Sequence, residues 1–124
     1  MNYLSFEDIY KKGILNGQII RTLRYGDRTI QSNGKLPFHP NEILLIKFKC
    51  PPYDRIPPEY DEKIPKAKIN SLILGIFHDI RLEKLVRSDL QGLSRRLVKE
   101  KLGRLYSKKI EDWDIFTLVE FELV

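Results

Sequence analysis

The chain has 124 residues, 42% hydrophobic and 31% charged, with a formal net charge of +5 and a pI near 9.3. That length fits a single domain over residues 1–124 with a real core, and no apolar run reaches the roughly 20 residues of a membrane span. The lone Cys50 excludes an internal disulfide and a cysteine zinc site, and the N-terminus has neither the basic nor the apolar region of a secretory signal, so a reducing cytoplasm is the expected setting.

In chain order, Leu4-Ser5-Phe6-Glu7-Asp8-Ile9 reads as a helix start, with Ser5 as N-cap and Leu4 and Ile9 as a hydrophobic staple. Phe6, Ile9, Tyr10 and Ile14 continue at helical spacing, and Asn16-Gly17 supplies the stop. The run from Ile19 to Arg24 is β-branched and alternates at its end, so a strand is expected there. Tyr25-Gly26-Asp27 and Ser32-Asn33-Gly34-Lys35 mark turns, and Glu42 to Lys49 is the clearest central strand. All seven prolines lie between Pro37 and Pro65. A long stiff loop is expected there rather than an interdomain linker, since neither flank buries a full core alone.

Lys68 to Ile80 is a second long strand region, with Gly75 marking a bulge. Leu82 to Leu90 reads as a short helix. A further helix starts near Ser94, stapled by Leu93 and Val98. Leu90, Leu93, Leu97, Leu102 and Leu105 recur every three or four residues, while Arg95, Arg96, Lys99 and Arg104 take other faces. Ile115 to Val124 closes the chain as a strand whose odd positions are mostly apolar, with Glu120 and Glu122 turned the other way. This order predicts an α+β domain around a small mixed or closed sheet.

Charge is unevenly spread. Between Arg81 and Lys109 ten Lys or Arg face three acids, a net +7, and the remainder is slightly acidic. Such a segment either tracks a polyanion or is a solvated helix face. A single alanine, Ala67, against fifteen isoleucines points to an AT-rich genome, cellular or viral. Few thermolabile residues point to a thermophile.

The junction Gly13-Ile14-Leu15-Asn16-Gly17-Gln18-Ile19-Ile20-Arg21-Thr22-Leu23-Arg24 joins a helix stop to a short strand with two arginines. Turn N–H groups and an arginine fork suit a phosphate or a base edge. Strand parity puts Thr22 and Arg24 on one face and Arg21 on the other. The competing reading pairs an arginine with Asp27 or Glu42. Tyr25, Phe38 and Tyr53 are candidates to stack bases or to anchor loops. His39 and His78 fit structural roles, and neither a metal set nor a phosphate loop is present.

These residues resemble an ASCH domain of the PUA-like superfamily. That family carries a motif like I-L-x-G-x-K-T-x-T-x-R after its first helix, matched here by Ile14 to Arg24. Its later strand, short helix, E-G-aromatic step, helix and V-x-F-x-L strand are matched by Ile73 to Ile80, Leu82 to Asp89, Gln91-Gly92-Leu93, Ser94 to Tyr106 and Val119 to Leu123. The resemblance implies a small PUA-like β-barrel of about five to six mixed strands with flanking helices. It also implies binding of RNA or nucleotides, or RNA-processing chemistry as a ribonuclease or a modified-nucleoside amidohydrolase. The amidohydrolase members use a Lys, a Thr and a Glu, whose positions fall on Ile19, Thr22 and Gln91. Only Thr22 is kept, which leaves that chemistry without its cation and its acid.

The expected function is thus an RNA- or nucleotide-binding module without cofactor. Arg21, Thr22 and Arg24 would line its pocket, and Arg81, Lys84, Arg87, Arg95, Arg96, Lys99 and Arg104 would hold phosphates. The alternatives are the RNA-processing enzyme and a module that docks on a ribonucleoprotein.

Overall fold

The computed structural model describes residues 2–31, 35–49 and 65–124. Cys50, Tyr53, Ser32 to Gly34 and nearly all of the proline-rich loop lie outside the described residues. Strand β1 (Tyr3–Glu7) leads through a 3₁₀ turn into the short helix α1 (Lys11–Leu15), followed by β2 (Arg21–Tyr25), β3 (Ile43–Lys49) and β4 (Lys66–Ile76). Two 3₁₀ turns, Phe77–Asp79 and Leu82–Leu85, precede helix α2 (Arg95–Tyr106) and strand β5 (Ile115–Leu123). The strands form one mixed sheet in the order β1-β3-β4-β5-β2. Only β1 and β3 run parallel.

The helix expected from Ser5 is instead strand β1. Leu4 and Phe6 are buried at period two and join the core through a parallel ladder in which Tyr3 pairs with Leu45 and Phe6 with Phe48. A partner some forty residues away overrides the local cap signal. Helix begins only at Lys11, and it stops as expected: Gly17 adopts φ +79°, and its N–H donates to the Ile14 carbonyl at 3.2 Å.

The sheet buries both faces. One face gathers Leu4, Phe6, Leu44, Ile46, Ala67, Ile69, Val119 and Phe121. The other packs Leu23, Phe116 and Leu118 under α2, which contributes Val98 and Leu102. Strand β5 is therefore apolar on alternate residues toward each side, and the odd-only pattern holds just for its C-terminal half. The β4 bulge lies between Ile69 and Ser71 rather than at Gly75. The extra residue, Asn70, shifts the inward parity from Ala67 and Ile69 to Leu72, which packs on the same face.

Helix α2 starts where expected, with Ser94 Oγ accepting from the Leu97 N–H at 3.3 Å. The helix expected over Leu82 to Leu90 is a single 3₁₀ turn ending at Leu85, because Arg87 adopts φ 59° and cannot continue it. The expected barrel is not closed. Strands β1 and β2 are the two edges of the sheet, and no ladder joins them. One side chain crosses between them: Arg24 Nη2 on β2 donates to the Ser5 carbonyl on β1 at 2.7 Å. Among the described residues no helix is long and apolar enough to cross a membrane.

Candidate functional site

The opening between β1 and β2 is a cleft of about 690 Å³, closed at one side by Leu102, Leu105 and Tyr106 of α2. Its inner wall follows from β2 parity. Thr22 and Arg24 pair with Val119 and Thr117 and face inward, while Leu23 pairs with Leu118 and faces the α2 side. Arg24 Nε donates to Thr22 Oγ1 at 3.1 Å, and its guanidinium lies 4.8 Å from the Phe6 ring centroid. Thr22 Oγ1 in turn donates to Asp89 Oδ2 across a long 3.4 Å contact. Thr22 is fully buried with its hydroxyl engaged on both sides, so it serves as a strut for Arg24.

Three further cations line the same cleft: Arg28, Lys35 and Lys49. Arg28 is held by its backbone. Its N–H donates to Thr117 Oγ1 at 2.9 Å, and that buried hydroxyl donates to the Gly26 carbonyl at 2.7 Å. Gly26 permits the turn with φ +87°. The Arg28 guanidinium stacks 4.4 Å from the Phe38 ring centroid, and Lys35 Nζ stands 5.9 Å from that of Tyr106. Among the described residues no carboxylate pairs with Arg24, Arg28 or Lys35. Burial, then the charge of Arg24, works against the charge on Arg28. Burial, then Arg28, Arg24 and Lys49, does the same to Lys35.

Asp89 is an acid on this cationic wall, together with Glu7. Burial raises its pKa above the ordinary value, Arg24, its own backbone N–H and the Thr22 hydroxyl oppose that only in part, and Glu7 adds to it. The folded state thus holds this proton to higher pH than the unfolded chain. Stability from this group is full below pH about 3.8 and falls as pH rises through the raised value. Asp89→Asn is expected to match the parent in thermal unfolding near pH 3.5 and to unfold at a higher temperature than the parent at pH 7. A variant less stable than the parent at pH 7 alone would show that the charged form is favoured by the fold.

The structure separates the residues singled out from sequence. Thr22 and Arg24 line the cleft. Arg21 points away from it, with Nη1 donating to the Val86 carbonyl at 2.8 Å and Nε 3.7 Å from Glu120. Neither arginine uses Asp27 or Glu42, which accept instead from Thr29 and from the His39 N–H. Arg87 donates to the Gly17 carbonyl at 2.7 Å, Arg95 to the Phe77 and Ile80 carbonyls, and Lys99 pairs with Asp112 at 2.7 Å. Those three brace the fold. Arg81 and Lys84 border a smaller cleft of about 310 Å³ on Ile73, Leu74 and Ile80. Arg96 and Arg104 are exposed on α2.

Gln91 does not line the cleft beside Thr22; its Oε1 accepts from the Arg87 N–H at 2.7 Å. The acid beside Thr22 is Asp89. Ile19 packs partly buried against the core. Phe38 is buried beneath Arg28, and Tyr25 packs on Tyr106 and Phe116. Sequence reading missed Arg28, Lys35 and Asp89 as cleft residues. The turn at Gly26 and the tally of acids in the basic segment were the only local signals for any of them.

No family model matches the sequence, and neither does any curated protein. Solved structures do match the fold. An ASCH domain from Lactobacillus crispatus JV V101 superposes with a TM-score of 0.68 at 11% identity, over 98% of this chain and 79% of that one. Protein EF3133 from Enterococcus faecalis V583 gives 0.64 at 13% identity, over 100% of this chain and 76% of that one. The hypothetical protein PH0355 gives 0.60 at 17% identity over all of both chains. The five-stranded mixed sheet with its two helices is thus the fold of an ASCH domain.

Proposed function

We propose that the cleft between β1 and β2 binds the phosphate of an RNA strand or nucleotide. The observation that carries this reading is the convergence of Arg24, Arg28 and Lys35 on one partly desolvated cleft where, among the described residues, no carboxylate pairs with them. Cations held together against their own repulsion are stabilised by an anion that enters from solution. Phosphate suits the arginine forks, and aromatic rings at Tyr3, Tyr10 and Tyr106 line the same cleft as surfaces for a base. Lys101, which lies 4.4 Å from the Tyr10 ring centroid, and the exposed Arg104 extend positive charge along α2 from the cleft rim.

Binding is favoured over hydrolysis by the state of Thr22. Its hydroxyl has no exposed surface and is shared between Arg24 and Asp89, which leaves it poorly placed to attack a substrate. The test is the salt dependence of affinity for a single-stranded RNA oligonucleotide, measured by fluorescence anisotropy. Three contacted phosphates predict a slope of about −2 in log K against log salt. Affinity that does not change between low and high salt would overturn the reading.

A further inference from the structure

We propose that Asp89 is the selectivity element of the cleft, accepting a hydrogen bond from a donor on the nucleoside while the cations hold its phosphate. This rests on the reading of the cleft as an anion site. A carboxylate is a poor neighbour for a bound phosphate, so its presence there calls for a reason. Asp89 lies in the turn that follows Ser88, whose Oγ accepts from the Leu90 N–H at 3.0 Å and fixes the local backbone. The residue lines the cleft and is itself half-buried. Its Oδ2 is tied to Thr22, but its Oδ1 is buried and, among the described residues, has no hydrogen-bond partner. An orphaned carboxylate oxygen is costly to a fold and points to a partner missing from the free protein.

The geometry restricts what that partner is. Arg24, the cation whose charge acts on Asp89, bonds Thr22 through Nε and Ser5 through Nη2 and makes no hydrogen bond to Oδ1. The terminal carboxyl torsion is soft, so a small rotation presents the free oxygen to the cleft. A carboxylate accepts from an N–H on a base edge or from a ribose hydroxyl. Both sources sit within one nucleotide of the phosphate that Arg28 and Lys35 would hold.

The experiment compares inorganic pyrophosphate with the four ribonucleoside 5′-monophosphates and their 2′-deoxy counterparts, by calorimetry, on the full chain and on Asp89→Ala and Asp89→Asn. Asp89→Ala is expected to weaken the preferred nucleotide at least tenfold, the scale of one hydrogen bond to a charged group. Asp89→Asn, which keeps one acceptor and the side-chain shape, is expected to weaken it less. Pyrophosphate is expected to bind both variants as tightly as the parent or more so, because an opposing charge is gone. Loss on removal of the 2′-hydroxyl locates the donor on the sugar; discrimination among bases locates it on a base edge. Nucleotide affinity that rises in step with pyrophosphate affinity in both variants would overturn the role of Asp89 while leaving the anion site standing. Failure of the parent to bind any of these probes would remove the anion site and the proposal together.

Discussion

Alanine at both Arg24 and Arg28 is expected to lower affinity for single-stranded RNA by about 100-fold or more, since each hydrogen bond to a charged group is worth about 1.5–3 kcal/mol. The two single variants are expected to differ in what else they change. Arg24 bridges the sheet edges through Ser5 and Thr22, so Arg24→Ala also removes internal bonds and lowers stability. Among the described residues the Arg28 guanidinium has no polar partner, and burial and Arg24 both oppose its charge. Arg28→Ala is therefore expected to lose binding with little loss of thermal stability. The separation of affinity from stability at Arg28 is what marks a ligand residue. Parallel loss of both would assign Arg28 to the fold.

The largest stability effect is expected at Phe116→Ala, a loss of about 3–5 kcal/mol. Phe116 has no exposed surface and sits on β5, which pairs with both β4 and β2. Its ring meets Tyr25 edge-on at 5.4 Å between centroids and Phe77 at 5.8 Å. Removing it empties the second core, under α2, and a domain of this size would unfold about 10–20 °C lower. Leu23, Leu102 and Tyr106 pack in this same core and also line the cleft, so RNA affinity is expected to weaken together with stability. A change of less than 1 kcal/mol would mean that α2 does not depend on this face.

Most strands were legible because their signal is local. Ile43 to Lys49 and Ile115 to Leu123 alternate or run apolar between clear turn residues, and the Ser94 cap announces α2. Strand β1 was not legible. Ser5 and the spacing of Phe6, Ile9 and Tyr10 imitate a helix start, and what makes Tyr3–Glu7 a strand is a parallel partner far along the chain. Strand parity put Thr22 and Arg24 on one face, and both line the cleft; Arg21, expected in the pocket with them, faces Val86 and Glu120 instead.

The rest of the site depends on distances that sequence does not encode. Arg28 reaches the cleft through the Thr117 hydroxyl on another strand, and Asp89 lay inside a segment read only for its positive charge. Within that +7 segment, Arg87, Arg95 and Lys99 are committed to carbonyls and to Asp112, which net charge along the sequence does not disclose.

The most direct measurement is a crystal structure of the chain with a ribonucleoside 5′-monophosphate. The expected result is a phosphate oxygen within hydrogen-bond distance of the Arg28 guanidinium, between β1 and β2, with Lys35 and Arg24 on its other sides. A nucleotide bound instead along the exposed arginines of α2, with the cleft between β1 and β2 left to solvent, would contradict it.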